Sequence, residues 1–410
     1  MVFKLGKDGE IKLFVTALYF LIFYFFYLLP LPLPRAGWTR IGFVSVVLCF
    51  LLFLPGMIYV LKKYKFLSFE IGYIFLVIAM VCVFSMISYD ENIMDMIICT
   101  GSYLFILMAP ILLVMFHLVG FHESVHYILM VETFYDFVLL ICAFMKNNLG
   151  IMPLKVATIS SKTSNVRAAA GALCPFATVY FVYLLISKRD KLKTIVALAI
   201  NLATQFYVEQ TRMKEIAILV ASVATVVFFM KAVKNQNWPI VLTIIGIILF
   251  FYLGYYEEMM NSFSADPKLN PHYTSTVARL RAVEYFKTYT EKNIFFGLGF
   301  INPRTNHLND IFSGPSHTCF LDDLGITGCF FRNGLLGLSY YIMVLARMAY
   351  AFFKIHDKHY KSIMLGIAVF TMISSSSLSI FDGQRIVMVP FIMAVTEFLL
   401  NDTPKTEKES

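Results

Sequence analysis

The sequence predicts an all-α polytopic membrane protein: a single integral domain over 1–410 with about 12 transmembrane helices and one large extracytoplasmic loop, 256–325, containing short helices. Three observations predict it. Of the 410 residues, 59% are hydrophobic and 15% charged, with a mean hydropathy of +0.73, more apolar surface than a water-soluble domain can cover. Apolar runs near the roughly 20 residues needed to cross a bilayer recur along the whole chain. Lysines gather at every second link between those runs, the pattern that sets orientation in a membrane.

In order, the expected spans are 11–29, 41–61, 69–88, 94–118, 125–145, 168–187, 193–208, 213–231, 239–255, 326–350, 362–380 and 386–400. The first is read as retained, because it is long, lacks a small-residue cleavage site and ends in P-L-P-L-P-R. Placing the Lys-rich links in the cytoplasm puts both termini there too. The links near 31–40, 89–93, 146–167, 209–212, 256–325 and 381–385 then face outward. The stretch 256–325 exceeds the usual length of a passive connection, so it is expected to carry function. Within it, Thr274 to Thr276 offer caps for a helix reaching about Thr290, and Gly297 and Gly299 permit a tight re-entry toward the membrane.

The net charge of +8 does not point to nucleic acid, since most lysines occupy short orienting loops. The seven cysteines are scattered through apolar segments with no C-x-x-C pair, and read as packing residues. Arginine is distributed differently from lysine. Nine of the eleven (35, 40, 167, 212, 279, 281, 304, 332 and 385) fall on the outer side or in the outer half of a span. Orientation alone would not separate the two residue types. A guanidinium grips phosphate bidentately and keeps its charge, so the bias implies a phosphate or diphosphate bound at the outer face. Interfacial anchoring is the alternative, and it is preferred for Arg35 and Arg40 beside Trp38.

Candidate residues follow from local context. Arg167 opens N-V-R-A-A-A-G-A-L-C-P, whose small residues also suit close helix packing. Arg212, in E-Q-T-R-M-K-E, falls in the first turn of a helix that Thr211 can cap. A cation there opposes the helix dipole unless an anion is bound. Arg279 shares a face with Val283 and Phe286, whereas Arg281 meets Glu284 at a surface spacing. His317, Asp322 and Asp323 precede the tenth span at the same depth. One of them can serve as a general base, while the aspartates can instead cap the helix. H-E-S-V-H at 122–126 fits a zinc motif and makes an intramembrane zinc protease the least favoured alternative. The motif falls on the inner side while Asp382-Gly383, which could supply a third ligand, falls on the outer side; no metal is expected. Glu132 and Asp136, four apart, are a buried helix contact or, in a transporter, a proton or cation path.

Taken together, N-V-R-A-A-A-G-A-L-C-P, T-R-M-K-E, R-L-R-A-V-E-Y-F, G-L-G-F, D-D-L-G-I-T-G and G-L-L-G-L resemble, in order and topology, the Wzy-type O-antigen and capsular-polysaccharide polymerases, relatives of the O-antigen ligases. The resemblance spans most of 160–400. It implies an enzyme of the bacterial plasma membrane that joins oligosaccharide repeat units carried on undecaprenyl diphosphate, without metal or cofactor. Arg212 and Arg279, with Arg167 a weaker match, would hold the lipid diphosphate. A flippase and a chain-length regulator are implied partners alongside membrane lipid. His317 is followed by Thr318 where the ligases have Asn, which separates this chain from them and leaves the base open among His317, Asp322 and Asp323. A polysaccharide flippase or other transporter is the reading from a different class, though no internal repeat supports it.

Overall fold

The computed structural model describes residues 51, 53–151, 158–159, 167–168, 170–187, 191–252, 273–302, 306–314, 319–383 and 385–401. The first expected span and most of the second lie outside these residues, although 53–63 are helical. The described chain is helical apart from one two-residue antiparallel pairing, Thr158–Ile159 with Arg167–Ala168. Among the described residues, five helices are long and apolar enough to cross a membrane: α1 (Lys65–Tyr89), α2 (Ile93–Val119), α3 (Phe121–Leu149), α6 (Arg212–Ala232) and the segment Leu321–Lys354 that contains α10 (Gly325–Lys354). Between and after them come α4 (Cys174–Ile186), α5 (Lys191–Ala203), α7 (Trp238–Tyr252), α8 (Tyr273–Lys292), α9 (Asn306–Ser313), α11 (Lys358–Ser374) and α12 (Met388–Asn401).

Local chemistry sets the boundaries. Asn92 and Asp95 form a reciprocal capping box at the start of α2, and Asp357 accepts the His359 and Tyr360 N–H groups at the start of α11. Gly120 and Gly150, both at positive φ, bracket α3. α5 runs on as a π-helix over Thr204–Glu209, a widening that is frequent at functional positions. Thr211 precedes α6 but makes no side-chain cap, contrary to expectation.

Two packed groups share one core. α4, α5, α6 and α11 form the first, and α6 and α11 approach so closely at Gly366 that an added Cβ would meet Thr225 and Val179. α1, α2, α10 and α12 form the second, and α3 and α11 join it to the first through an aromatic-rich interior that includes Phe116, Phe121, Phe176, Phe370, Phe391 and Phe398.

The element that positions the site is a break in α10. At Gly334 the backbone leaves the helix (φ 61, ψ −158), which opens carbonyls and amides inside an apolar span. The loop after α8 re-pairs them. Leu298 and Gly299 donate to the Phe331 and Arg332 carbonyls at 2.7 Å each, while Leu335 and Leu336 donate to Ile294 and Phe295 at 2.9 and 3.4 Å. Protein thus completes hydrogen bonds that a break in an apolar helix would otherwise leave open. The re-entry expected of G-L-G-F is thus a backbone splint on a broken helix.

The other side of the same loop is clamped to α1 and α2. Phe300 N–H donates to Ser85 Oγ at 2.8 Å, Asn302 N–H to Glu91 at 2.7 Å, and the Asn302 amide to Asp95 at 2.5 Å. Ser85→Ala would leave the buried Phe300 N–H unpaired, a cost of about 1–3 kcal/mol. Thermal melting in detergent should show that loss; an unchanged midpoint would mean the loop is held otherwise.

Candidate functional site

Leu321–Leu324 form a single 3₁₀ turn that leads directly into α10, and the segment joins the two ends of a small cleft. Tyr103, Leu321, Asp322, Cys329, Arg332 and Asn333 line it, with Ser379 and Phe381 closing the far side. Ten residues and one turn of the chain bring Asp322 back over Arg332, and the Arg332 guanidinium donates to Asp322 at 2.9 Å. Their exposures differ in a way that matters, 18% for the arginine side chain and 52% for the aspartate. The cation is rooted in the protein and the anion lies at the mouth.

The walls are polar but not fully engaged. Tyr103 Oη and Asn333 Oδ1 are buried beside one another, and neither hydrogen-bonds the Arg332–Asp322 pair. Asp382 also faces Arg332 electrostatically, yet its carboxylate is already taken by Arg385 through both the backbone N–H and the guanidinium. Below this polar mouth, Ile74, Val77, Ile78, Phe300 and Tyr340 line an apolar cavity that shares Tyr103, Cys329, Asn333 and Phe381 with it.

The expected site residues are distributed as follows. Asp322 is in the cleft, paired with Arg332; Asp323 is exposed beside it, and neither caps α10 by its side chain. Arg279 lies on α8, which packs on both α10 and the 321–324 turn. It is half-buried, and its Nε is buried with no partner among the described residues, whereas Arg281 is exposed. Arg212 is exposed at the start of α6, and neither it nor Arg279 lines the Arg332 cleft. α6 and α8 do not pack extensively on one another. The Arg167 backbone is in the short strand pairing, its side chain outside what is described, and His317 lies outside the described residues altogether.

α8 is held over the cleft by aromatic contacts. Phe286 reaches Phe331, and Tyr285 donates to the Asp310 carbonyl at 3.0 Å, joining α8 to α9. Burial, reinforced by the neighbouring Tyr289 hydroxyl, raises the Tyr285 pKa, so the phenol stays protonated and keeps donating. Next to it, burial pushes the Cys319 thiol up, partly opposed by Arg281.

A second polar centre lies in the other group of helices. Glu132 accepts the Leu173 N–H and Asp136 the Gly171 N–H, each at 3.0 Å, at the N-terminal end of α4. Gly171 is needed for this approach, since a Cβ there would fall 1.7 Å from Glu132 Oε1. Lys214 is buried in the first turn of α6 and pairs with Glu209 at 2.7 Å. The anion facing that turn is therefore Glu209, engaged through Lys214.

The two histidines of H-E-S-V-H pack among aromatic rings, His122 on Tyr360 and His126 beside Tyr180 and Phe181. No group of three or more potential metal ligands gathers among the described residues.

Arg332, Tyr103 and Asn333 were not singled out by sequence reasoning. For Arg332 a signal existed, a charge inside an otherwise apolar run, which is a functional hypothesis by default. For Tyr103 there was none. No protein-family model matches the chain, and no curated protein matches it significantly.

Proposed function

We propose that this protein is a metal-independent glycosyltransferase of the bacterial plasma membrane that polymerises repeat units carried on undecaprenyl diphosphate into a surface polysaccharide. In this reading it has about 12 spans, both termini are cytoplasmic, and the Arg332 cleft opens outward. The observation that carries the reading is the Arg332 guanidinium, rooted in an apolar span and presented to a polar cleft above an apolar cavity. Arg279, with an unpartnered buried Nε on the adjoining helix, adds a second guanidinium suited to a diphosphate.

The reaction is a displacement at the anomeric carbon of the growing glycan. A hydroxyl oxygen of the incoming lipid-linked unit forms the new C–O bond, and the bond to the lipid diphosphate breaks. The departing diphosphate keeps the electron pair, and arginine charge stabilises it. Arg332 serves this role at the cleft; Arg279 and Arg212 are assigned to it by the family resemblance alone, and neither lines that cleft. The hydroxyl proton passes to a carboxylate or imidazole among Asp322, Asp323 and His317. An O-antigen ligase would use the same donor with a different acceptor.

One observation favours a second reading, a polysaccharide flippase or other transporter: the ionisable groups Glu132, Asp136, Glu209 and Lys214 are buried together in the helical core. Purified protein supplied with lipid-linked repeat units in detergent separates the two. A polymer ladder supports the polymerase; unchanged substrate in detergent, with transbilayer movement in liposomes, supports the transporter. Arg212→Lys is expected to shorten the polymer and lower its yield at least tenfold, because an ammonium cannot reproduce a bidentate grip. Wild-type chain length from that variant would remove Arg212 from the site.

A further inference from the structure

We propose that Asp322 is a built-in counter-anion, occupying Arg332 until the substrate diphosphate displaces it. The chemical identity of the displacing anion rests on the function proposed above; the exchange itself rests on the geometry.

Four features point to exchange rather than to a permanent tie. The pair is asymmetric, with the arginine mostly buried and the aspartate half-exposed, so the anion can leave into solvent while the cation stays. Asp322 belongs to a short 3₁₀ turn rather than to α10 itself, so its side chain can swing without disturbing the helix. Asp382, the other carboxylate near Arg332, is fully buried and bound to Arg385, and cannot stand in for Asp322. Removing Asp322 from the guanidinium therefore uncovers one net positive charge at the cleft. Tyr103 Oη and Asn333 Oδ1, buried beside one another in the same cleft, make no hydrogen bond to the Arg332–Asp322 pair and stay available to a ligand seated on Arg332.

The consequence for turnover is an ordering of events. While Asp322 is on Arg332, its carboxylate oxygens are engaged and it is a poor proton acceptor. Arrival of a diphosphate both fills the guanidinium and releases the carboxylate beside the reacting hydroxyl. The base would thus be freed only when donor is bound, which guards against attack by water.

The test is equilibrium binding of inorganic diphosphate to the purified full-length protein in detergent at low salt, with a lipid diphosphate as competitor. Asp322→Asn keeps the side-chain shape and removes the competing charge, so it should bind about five- to tenfold more tightly than wild type, on the scale of one partly exposed ion pair plus relief of repulsion. Adding Arg332→Gln should abolish that gain. Glu284→Gln, an exposed change of equal charge on α8, should leave the affinity within twofold. Competition by the lipid diphosphate would locate both ligands at one site. Equal or weaker binding by Asp322→Asn, or no binding by either protein, overturns the exchange. A tighter Asp322→Asn whose wild-type parent makes no polymer ladder would sustain the exchange while removing the polymerase reading.

Discussion

Gly334→Ala should eliminate most of the folded protein, with an expected destabilisation above about 4 kcal/mol. Two costs combine. The residue sits at φ 61 and ψ −158, a region essentially reserved for glycine, where an L side chain is strained by about 1–3 kcal/mol. Its Cβ would also fall 2.2 Å from the Phe295 carbonyl oxygen, a backbone atom that cannot rotate away. Relief would require pulling the 294–299 loop off α10, and so breaking hydrogen bonds that nothing replaces. Gly72→Ala on α1, where an added Cβ meets nothing within 4 Å, is the matched control and should be neutral or slightly stabilising. Monodisperse yield and melting midpoint in detergent report both; a well-folded Gly334→Ala would show that the break is not fixed by backbone contact.

Lys214→Met should cost about 3–5 kcal/mol, the usual penalty for removing one partner of a buried ion pair. Lys214 is the cation facing three acids: it contacts Glu209 directly and acts at longer range on Glu132 and Asp136. Without it, the buried Glu209 carboxylate loses its cation. Glu209→Gln added to Lys214→Met should recover more than half of the loss, because the pair matters chiefly for mutual neutralisation. Equal melting points for wild type and Lys214→Met would show that the acids are neutralised by other means. The same double mutant bears on the transporter reading, since a transport site would lose transport even when stability is restored.

Much of the helical frame was legible because apolar run length and glycine punctuation act locally. α3 shows this: Gly120 and Gly150 bracket a run whose ends were placed within four residues. The expected span at 168–187 narrowed to α4, Cys174–Ile186, because residues before it are held in extended and turn conformations by Glu132 and Asp136, acids thirty-five or more residues away. Such a constraint leaves no trace in local periodicity. The break at Gly334 had a faint signal, an Asn-Gly turn dipeptide inside an apolar run, but its partner segment, 294–299, lies on the far side of α9. At the site, Asp322 was visible as an acid before a span. Its pairing with Arg332 was not, since ten residues of separation match no helical contact and the 3₁₀ turn supplies the geometry.

In the proposed function, Arg332 stabilises a lipid diphosphate as a leaving group. The direct test counts undecaprenyl diphosphate released by the purified protein from lipid-linked repeat units, against glycosidic bonds formed in the same reaction. One lipid diphosphate per new bond is predicted, with release falling at least a hundredfold in Arg332→Gln while that protein remains folded. Bonds formed without released lipid diphosphate, or full release from folded Arg332→Gln, would contradict the account.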